Sequence, residues 1–159
     1  LSNNDGCIVA RSNEAKRLNI PMAIPLFKVK HIISRYDVKV LSSNFELYGD
    51  MSQRVMQTIR GITDNMEVYS IDEVFLSIDD ELAADHRFAD YLRETVIRCT
   101  GIPVSIGLAP SKTLAKLANH LAKTISATGV FSLIDPKITE LYLKQLPIED
   151  VWGVGRRLA

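Results

Sequence analysis

Two adjacent carboxylates, Asp72 and Glu73, stand inside an otherwise apolar run, residues 68–78, VYSIDEVFLSI. A buried carboxylate is costly unless it is paired or binds a metal, so the two need a partner. On a straight strand consecutive side chains point to opposite faces, and one ion could not reach both. A chain reversal at residues 71–73 removes that obstacle: 67–70 and 74–78 become the arms of a hairpin, with both acids at its tip. Hard oxygen donors on a rigid tip suit Mg²⁺. With lysines nearby they suit phosphoryl transfer, in which metal ions lower the barrier and lysines neutralise phosphates. A two-ion centre holds its ions about 3.5–4 Å apart and wants a further bridging acid. No convincing third acid stands out: Asp5 and Asp50 are of the right type, but a turn and a helix surface explain each well enough. An acidic hairpin tip is also a good solvated turn, and the residues alone leave the two readings level.

The elements that must hold this tip follow from turn signals and periodicity. SNNDG, residues 2–6, is a turn leading into the apolar run 7–10. A short helix over 12–18 stops before Pro21, a second spans 25–35 with Pro25 in its first turn, and 38–41 reads as a strand. Asn44 can cap a long helix whose apolar stripe is Tyr48, Met51, Val55, Ile59 and Ile62. After the hairpin, Phe88, Ala89, Leu92, Val96 and Cys99 mark another amphipathic helix, and 104–109 a buried strand. This order of helix, hairpin, helix and strand, with one strand before it, is the split β-α-β arrangement of ferredoxin-like sheets, helices on one face and the other open. A last helix begins at Ser111. Its Leu114, Leu117, Ala118 and Leu121 face a core, and Lys112, Lys116, Asn119 and Lys123 line up beside them, a stripe that matters if it borders the acidic tip.

A chain of 159 residues suits one domain with attachments and a sizeable core. Lys plus Arg and Asp plus Glu number 19 each, so net charge alone points to neither nucleic acid nor membrane. Residues 11–39 are net +5 and residues 64–90 net −8, a segregation that suits a polyanion wall and a cation wall, although solvated faces give the same count. Cys7, Cys99, His31, His86 and His120 show no zinc-ligand spacing. Two unpatterned cysteines and no long apolar stretch lead to the expectation of a cytoplasmic protein without a membrane span.

YSIDEVFLSI, 69–78, resembles the signature of the Y family of translesion DNA polymerases. LSNNDGCIVARSNEAKRLNI (1–20), SSNFELYGDMSQRVM (42–56), SIGLAPSKTLAKLANHLAK (105–123) and LPIEDVWGVGRRLA (146–159) follow in that family's order, covering essentially the whole chain. The first and last runs are most similar to the UmuC-type branch, the catalytic subunit of DNA polymerase V, rather than to polymerase IV. The resemblance implies an α+β fold: a small α/β fingers subdomain over 1–43, a ferredoxin-like palm over 44–135, and the start of a helix-hairpin-helix thumb over 136–159.

The function so implied is Mg²⁺-dependent, template-directed nucleotidyl transfer past damaged bases in DNA repair and the SOS response, with two Mg²⁺ ions in the complete enzyme. By the same resemblance Asp72 is a metal ligand and Glu73 the carboxylate nearest the primer end. Lys16 and Lys123 are cations on the triphosphate, and Asn13 replaces a tyrosine found in many relatives, which leaves its phosphate contact open. Cys7 and Val9 correspond to small residues roofing the nascent base pair, although strand packing explains them too. GVGRR, with Gly153, Gly155 and Arg156, resembles the start of a DNA-binding hairpin, where glycine amides take a phosphate. The implied partners are primer-template DNA, a deoxynucleoside triphosphate, a UmuD-type subunit, a recombinase filament and a sliding clamp. The family's first catalytic aspartate and its sugar-discriminating aromatic lie on an N-terminal strand outside this sequence, as do most of the thumb and the little finger. The expectation is therefore a fingers-palm fragment, inactive or nearly so alone. Two rivals are a nucleotide cyclase-like enzyme, which needs no primer, and a non-catalytic damaged-DNA-binding module, with steep salt dependence and no metal requirement.

Overall fold

Turn and capping residues cut the chain into short elements, and the computed structural model describes them over residues 1–154, the side chains of 84 and 150 apart. There are two compact units, Leu1–Tyr48 and Gly49–Ala159. In the first, SNNDG turns as its residues predict: the Ser2 N–H donates to the Cys7 carbonyl at 2.8 Å, and Gly6 takes a φ of +65°. Cys7 then forms an isolated antiparallel bridge with Pro25, and Ile8 bonds through its backbone to Ile24 and Ala23. Helix α1 is Asn13–Arg17, capped by the Ser12 hydroxyl, which accepts the Ala15 N–H at 3.2 Å. A 3₁₀ turn, Leu26–Val29, runs into α2, Lys30–Arg35, so the helix expected over 25–35 is of two kinds. Pro25 stands just outside as its cap, at ψ 138°. Ile8, Ile20 and Val29 are the buried core of this unit.

Residues 38–41 form no strand, contrary to the sequence reading. The Leu1 amino group donates to the Leu41 carbonyl at 2.7 Å, the Ser43 N–H to the Leu1 carbonyl at 3.0 Å and the Val38 N–H to the Ile33 carbonyl at 3.1 Å, isolated bonds with no repeat along the segment. A strand needs a repeated ladder. Val38 packs against the core of the unit but Leu41 is 78% exposed, so the far end of the segment has neither a pairing partner nor burial to hold a strand.

Helix α3, Phe45–Arg60, starts where expected: the Asn44 Oδ1 accepts the Leu47 N–H at 3.0 Å. In the second unit β1, Met66–Val68, pairs antiparallel with β2, Val74–Leu76, with Val68 opposite Val74. Helix α4, Asp80–Ala84, and α5, His86–Thr100, follow, and Gly101 ends α5 in the left-handed region at φ +72°. Strand β3, Ile106–Leu108, passes through helix α6, Lys112–Thr124, to a parallel partner, β4, Val130–Ser132. Helix α7, Pro136–Leu143, opens with the Asp135 cap and a proline in its first turn. Strand β4 and helix α7 go beyond the elements named from sequence.

Ile59 of α3 and Leu92 and Val96 of α5 pack with Met66, Val74, Leu76 and Ile106, so two helices cover one face of the strands, as expected. Strand alternation then decides what β3 shows to each side. Leu108 packs with Ala89 and Val130. Gly107 meets α6, where a Cβ would stand 2.3 Å from the Asn119 nitrogen and 2.4 Å from the Ala115 oxygen. At β3 and β4 the second face is therefore covered as well, by a core of Leu117, Ala118, Leu121 and Leu133. Among the described residues the strands make two separate pairs over a shared helical layer rather than one continuous sheet. No described helix is long and apolar enough to cross a membrane.

Candidate active site at the hairpin tip

The chain reverses where the acids lie. Residues 69–73 join β1 to β2, and the Glu73 carbonyl accepts the Tyr69 N–H at 3.0 Å and the Ser70 N–H at 3.1 Å. The Ser70 hydroxyl donates to the Asp72 Oδ1 at 2.8 Å. From α3 the Ser52 hydroxyl donates to the Ile71 carbonyl, tying the tip to the helical layer. Strand alternation thus ends before the two acids, which occupy consecutive turn positions. Asp72 is exposed and Glu73 half-buried.

Helix α6 supplies the cations. The Lys112 Nζ donates to the Glu67 Oε2 and the Lys116 Nζ to the Glu73 Oε1, each at 2.5 Å, so two rungs one helical turn apart join α6 to the hairpin. Lys112 also lies over the Phe75 ring at 5.3 Å, and Lys116 over the rings of Tyr69 and Trp152 at 5.5 and 5.8 Å. Tyr69 and Trp152 meet edge to face at 5.4 Å. The side chains of Lys116 and Glu73 keep 22% and 28% of their exposure, against 50% and 59% for Lys112 and Glu67. Water and salt therefore screen the Lys116 pair less.

An open cleft of about 560 Å³ lies beside the tip, lined by Glu73, Lys116, Asn119, Lys123, Trp152 and Gly153 among others. Asn119 lines the cleft, and its Oδ1 is buried without a hydrogen-bond partner, a costly state. Of the residues singled out in the sequence, Glu73, Lys123 and Gly153 meet in this cleft. Asp72 stands on the same turn but does not line it. Cys7, Val9, Asn13 and Lys16 belong to the other unit. There Cys7 is half-buried in its bridge, Val9 is 44% exposed, and Asn13 and Lys16 are exposed on α1. Lost hydration and the Asp5 carboxylate push the Cys7 thiol up, so it is protonated at neutral pH. Gly155 and Arg156 lie outside the described residues. Sequence reasoning places Lys116 and Asn119 in the α6 stripe but not in the site; their spacing on that helix is the signal that points to them.

Two carboxylates on one turn have the donor chemistry for a magnesium ion, which keeps several waters and takes one or two carboxylates with phosphate oxygens. Among the described residues no third Asp, Glu, His or Cys gathers with them, so a second ion needs oxygens from elsewhere.

This architecture has close counterparts among solved structures. A ternary complex of Dbh aligns over 98% of this chain and 46% of its own, with a TM-score of 0.81 at 22% identity. A DinB family error-prone DNA polymerase from Sulfolobus solfataricus aligns over 97% and 46%, with a TM-score of 0.76 at 22% identity. The fold is thus the α+β fold of Y-family DNA polymerases. Residues 1–120 match the impB/mucB/samB family, and the chain belongs to it. It is 45% identical to UmuC of Salmonella typhimurium over 100% of this chain and 39% of that protein. It is 44% identical to MucB of Escherichia coli over 99% and 38%. With DNA polymerase IV of Oceanobacillus iheyensis the identity is 28%, over 97% and 36%. The UmuC-type resemblance is borne out by that difference. The chain spans about 39% of the length of the curated relatives it matches.

Proposed function

We propose that this chain carries the fingers, over 1–43, and the palm, over 44–135, of a translesion DNA polymerase, with 136–159 opening the thumb. The observation that carries the reading is the meeting of Glu73, Lys116 and Lys123 in one open cleft at the tip of the hairpin. When bound, Mg²⁺ would supply charge neutralisation and Lewis acidity for transfer of a nucleotide from a deoxynucleoside triphosphate to a primer 3′ hydroxyl. Asp72 and Glu73 are the residues that would hold it. Lys123, exposed on the cleft wall, is assigned to the triphosphate oxygens, as is Lys16 on α1, with Asn13 as a hydrogen-bonding neighbour. Cys7 and Val9 would limit bulk over the nascent base pair. Gly153 lies in a turn at φ +88° and presents backbone to a DNA phosphate; Gly155 and Arg156 would extend that contact. A UmuD-type subunit, a recombinase filament and a sliding clamp are the further partners proposed from the resemblance, in the cytoplasm.

Primer extension by the complete gene product on damaged and undamaged templates tests this. Extension is expected to need Mg²⁺ and to fall at least a thousandfold in Asp72→Ala and Glu73→Ala, with circular dichroism unchanged, as about 4 kcal/mol of lost transition-state stabilisation requires. Normal extension by either variant would remove that residue from the mechanism. Turnover of a ribonucleoside triphosphate without primer would favour a cyclase instead.

A further inference from the structure

The two acids of the tip are not equivalent. Asp72 is exposed and bonded by a neighbouring hydroxyl, whereas Glu73 is half-buried and already balanced by a positive charge, with the Lys116 Nζ at 2.5 Å from its Oε1. That lysine is itself enclosed. Tyr69 and Trp152 present their rings to its ammonium group at 5.5 and 5.8 Å, so a carboxylate and two aromatic rings surround one cation. Glu149 lines the same cleft without an ion pair to it among the described residues.

A carboxylate holds magnesium at about 2.1 Å, which would bring a doubly charged ion within a few ångströms of the ammonium group. Like charges that close, in a place water screens poorly, repel strongly. Lysine has a long flexible stem and need not stay. We propose that Lys116 is the resident counter-cation of Glu73 and that it competes with a divalent cation for this carboxylate, its release from the Tyr69–Trp152 cage accompanying metal binding. This rests on the reading of Asp72 and Glu73 as metal ligands and adds a positioning residue to it. The released ammonium group stays in the cleft beside Lys123, where it is free to meet an anion arriving with the metal. Metal arrival and anion binding are thereby coupled through one side chain.

Trp152 is the single tryptophan of the chain, so its emission reports on the cage. Two titrations of the full 159-residue chain test the exchange: Mn²⁺ followed by loss of the free-ion electron paramagnetic resonance signal, and Mg²⁺, which does not quench by itself, followed by tryptophan emission. The native chain is expected to show an emission change that saturates with Mg²⁺. Lys116→Met is expected to lower the Mn²⁺ half-saturation about fivefold, the worth of removing one competing charge, and to lose most of the Mg²⁺-dependent emission change. Lys116→Arg, which keeps the charge, should stay near the native half-saturation. Glu73→Gln, which frees the lysine without altering it, should shift the metal-free emission towards the Mg²⁺-saturated native value. Equal Mn²⁺ half-saturation in the native chain and Lys116→Met would overturn the competition while leaving the metal-ligand reading in place. No Mn²⁺ binding by either would overturn both.

Discussion

Glu73 and Lys116 lie 43 positions apart in sequence and 2.5 Å apart in space, which makes them the most informative pair in the molecule. The pair satisfies a carboxylate that the apolar surroundings would otherwise penalise, and it leaves Lys123, on the same helix face, exposed and without a carboxylate partner among the described residues. A lysine in that position can take a phosphate without first breaking an ion pair. On the proposed polymerase function, Lys123→Ala is therefore expected to lower kcat/KM for the incoming nucleotide about tenfold or more, mainly through KM, in steady-state extension assays of the complete gene product. A change confined to kcat at unaltered KM would remove Lys123 from ground-state nucleotide binding.

The site depends on elements that approach one another closely, and Gly107 is where the tolerance is smallest. Its missing side chain lets α6 lie against β3, with Asn119 N at 2.3 Å, Ala115 O at 2.4 Å and Ala118 C at 2.8 Å from where a Cβ would stand. Gly107→Ala must push backbone rather than a flexible side chain, and is expected to destabilise the fold by about 3 kcal/mol, read as a lower thermal midpoint. The same shift would move Lys116 away from Glu73, so Trp152 emission should change with it. In the first unit, the turn at residues 2–6 is held by charge: Asp5 Oδ1 accepts the Cys7 N–H at 2.9 Å, and this bond, with help from Ser2, lowers the carboxyl below its ordinary 3.8. A depressed folded-state value means that the stabilisation is complete above the unfolded value and is lost as pH falls through the folded one. The difference in midpoint between the native chain and Asp5→Asn should therefore be constant from pH 8 to about 5 and shrink below about 4.

On the scale of the whole molecule, each unit carries its own core, Ile8, Ile20 and Val29 in one and a larger set including Leu133 and Val96 in the other. Leu133, directly after β4, is fully buried in the cluster that joins α6 to Tyr142 of α7, so Leu133→Ala is expected to cost about 2–5 kcal/mol in urea unfolding. Amide exchange should quicken first in α6, whose Leu117, Ala118 and Leu121 share that cluster. Much of this organisation was legible in advance. Ser12, Asn44 and Ser111 cap the helices they were expected to start, because a side-chain oxygen beside a helix start bonds a neighbouring N–H whatever the rest of the fold does. The segment 38–41 shows the limit of such reasoning, since its apolar residues are compatible with a strand but a strand exists only where a second one pairs with it. Strand β4 was missed for the complementary reason: three residues carry little periodicity, and only the parallel partner β3 makes them a strand.

The amino-acid sequence determined by itself that a turn carries Asp72 and Glu73, that a lysine stripe runs along one face of a helix, and that Ser12, Asn44 and Ser111 start helices, because each of these depends on residues within one turn or a few positions of one another. The tertiary structure alone decided that Lys116 rather than Lys123 meets Glu73, that Asn119 on the cleft wall buries an unpartnered oxygen, and that Trp152 closes over the lysine. Those outcomes turn on ångström-scale distances between groups remote in the chain, set by how closely α6 can dock over Gly107, and such distances have no local signature.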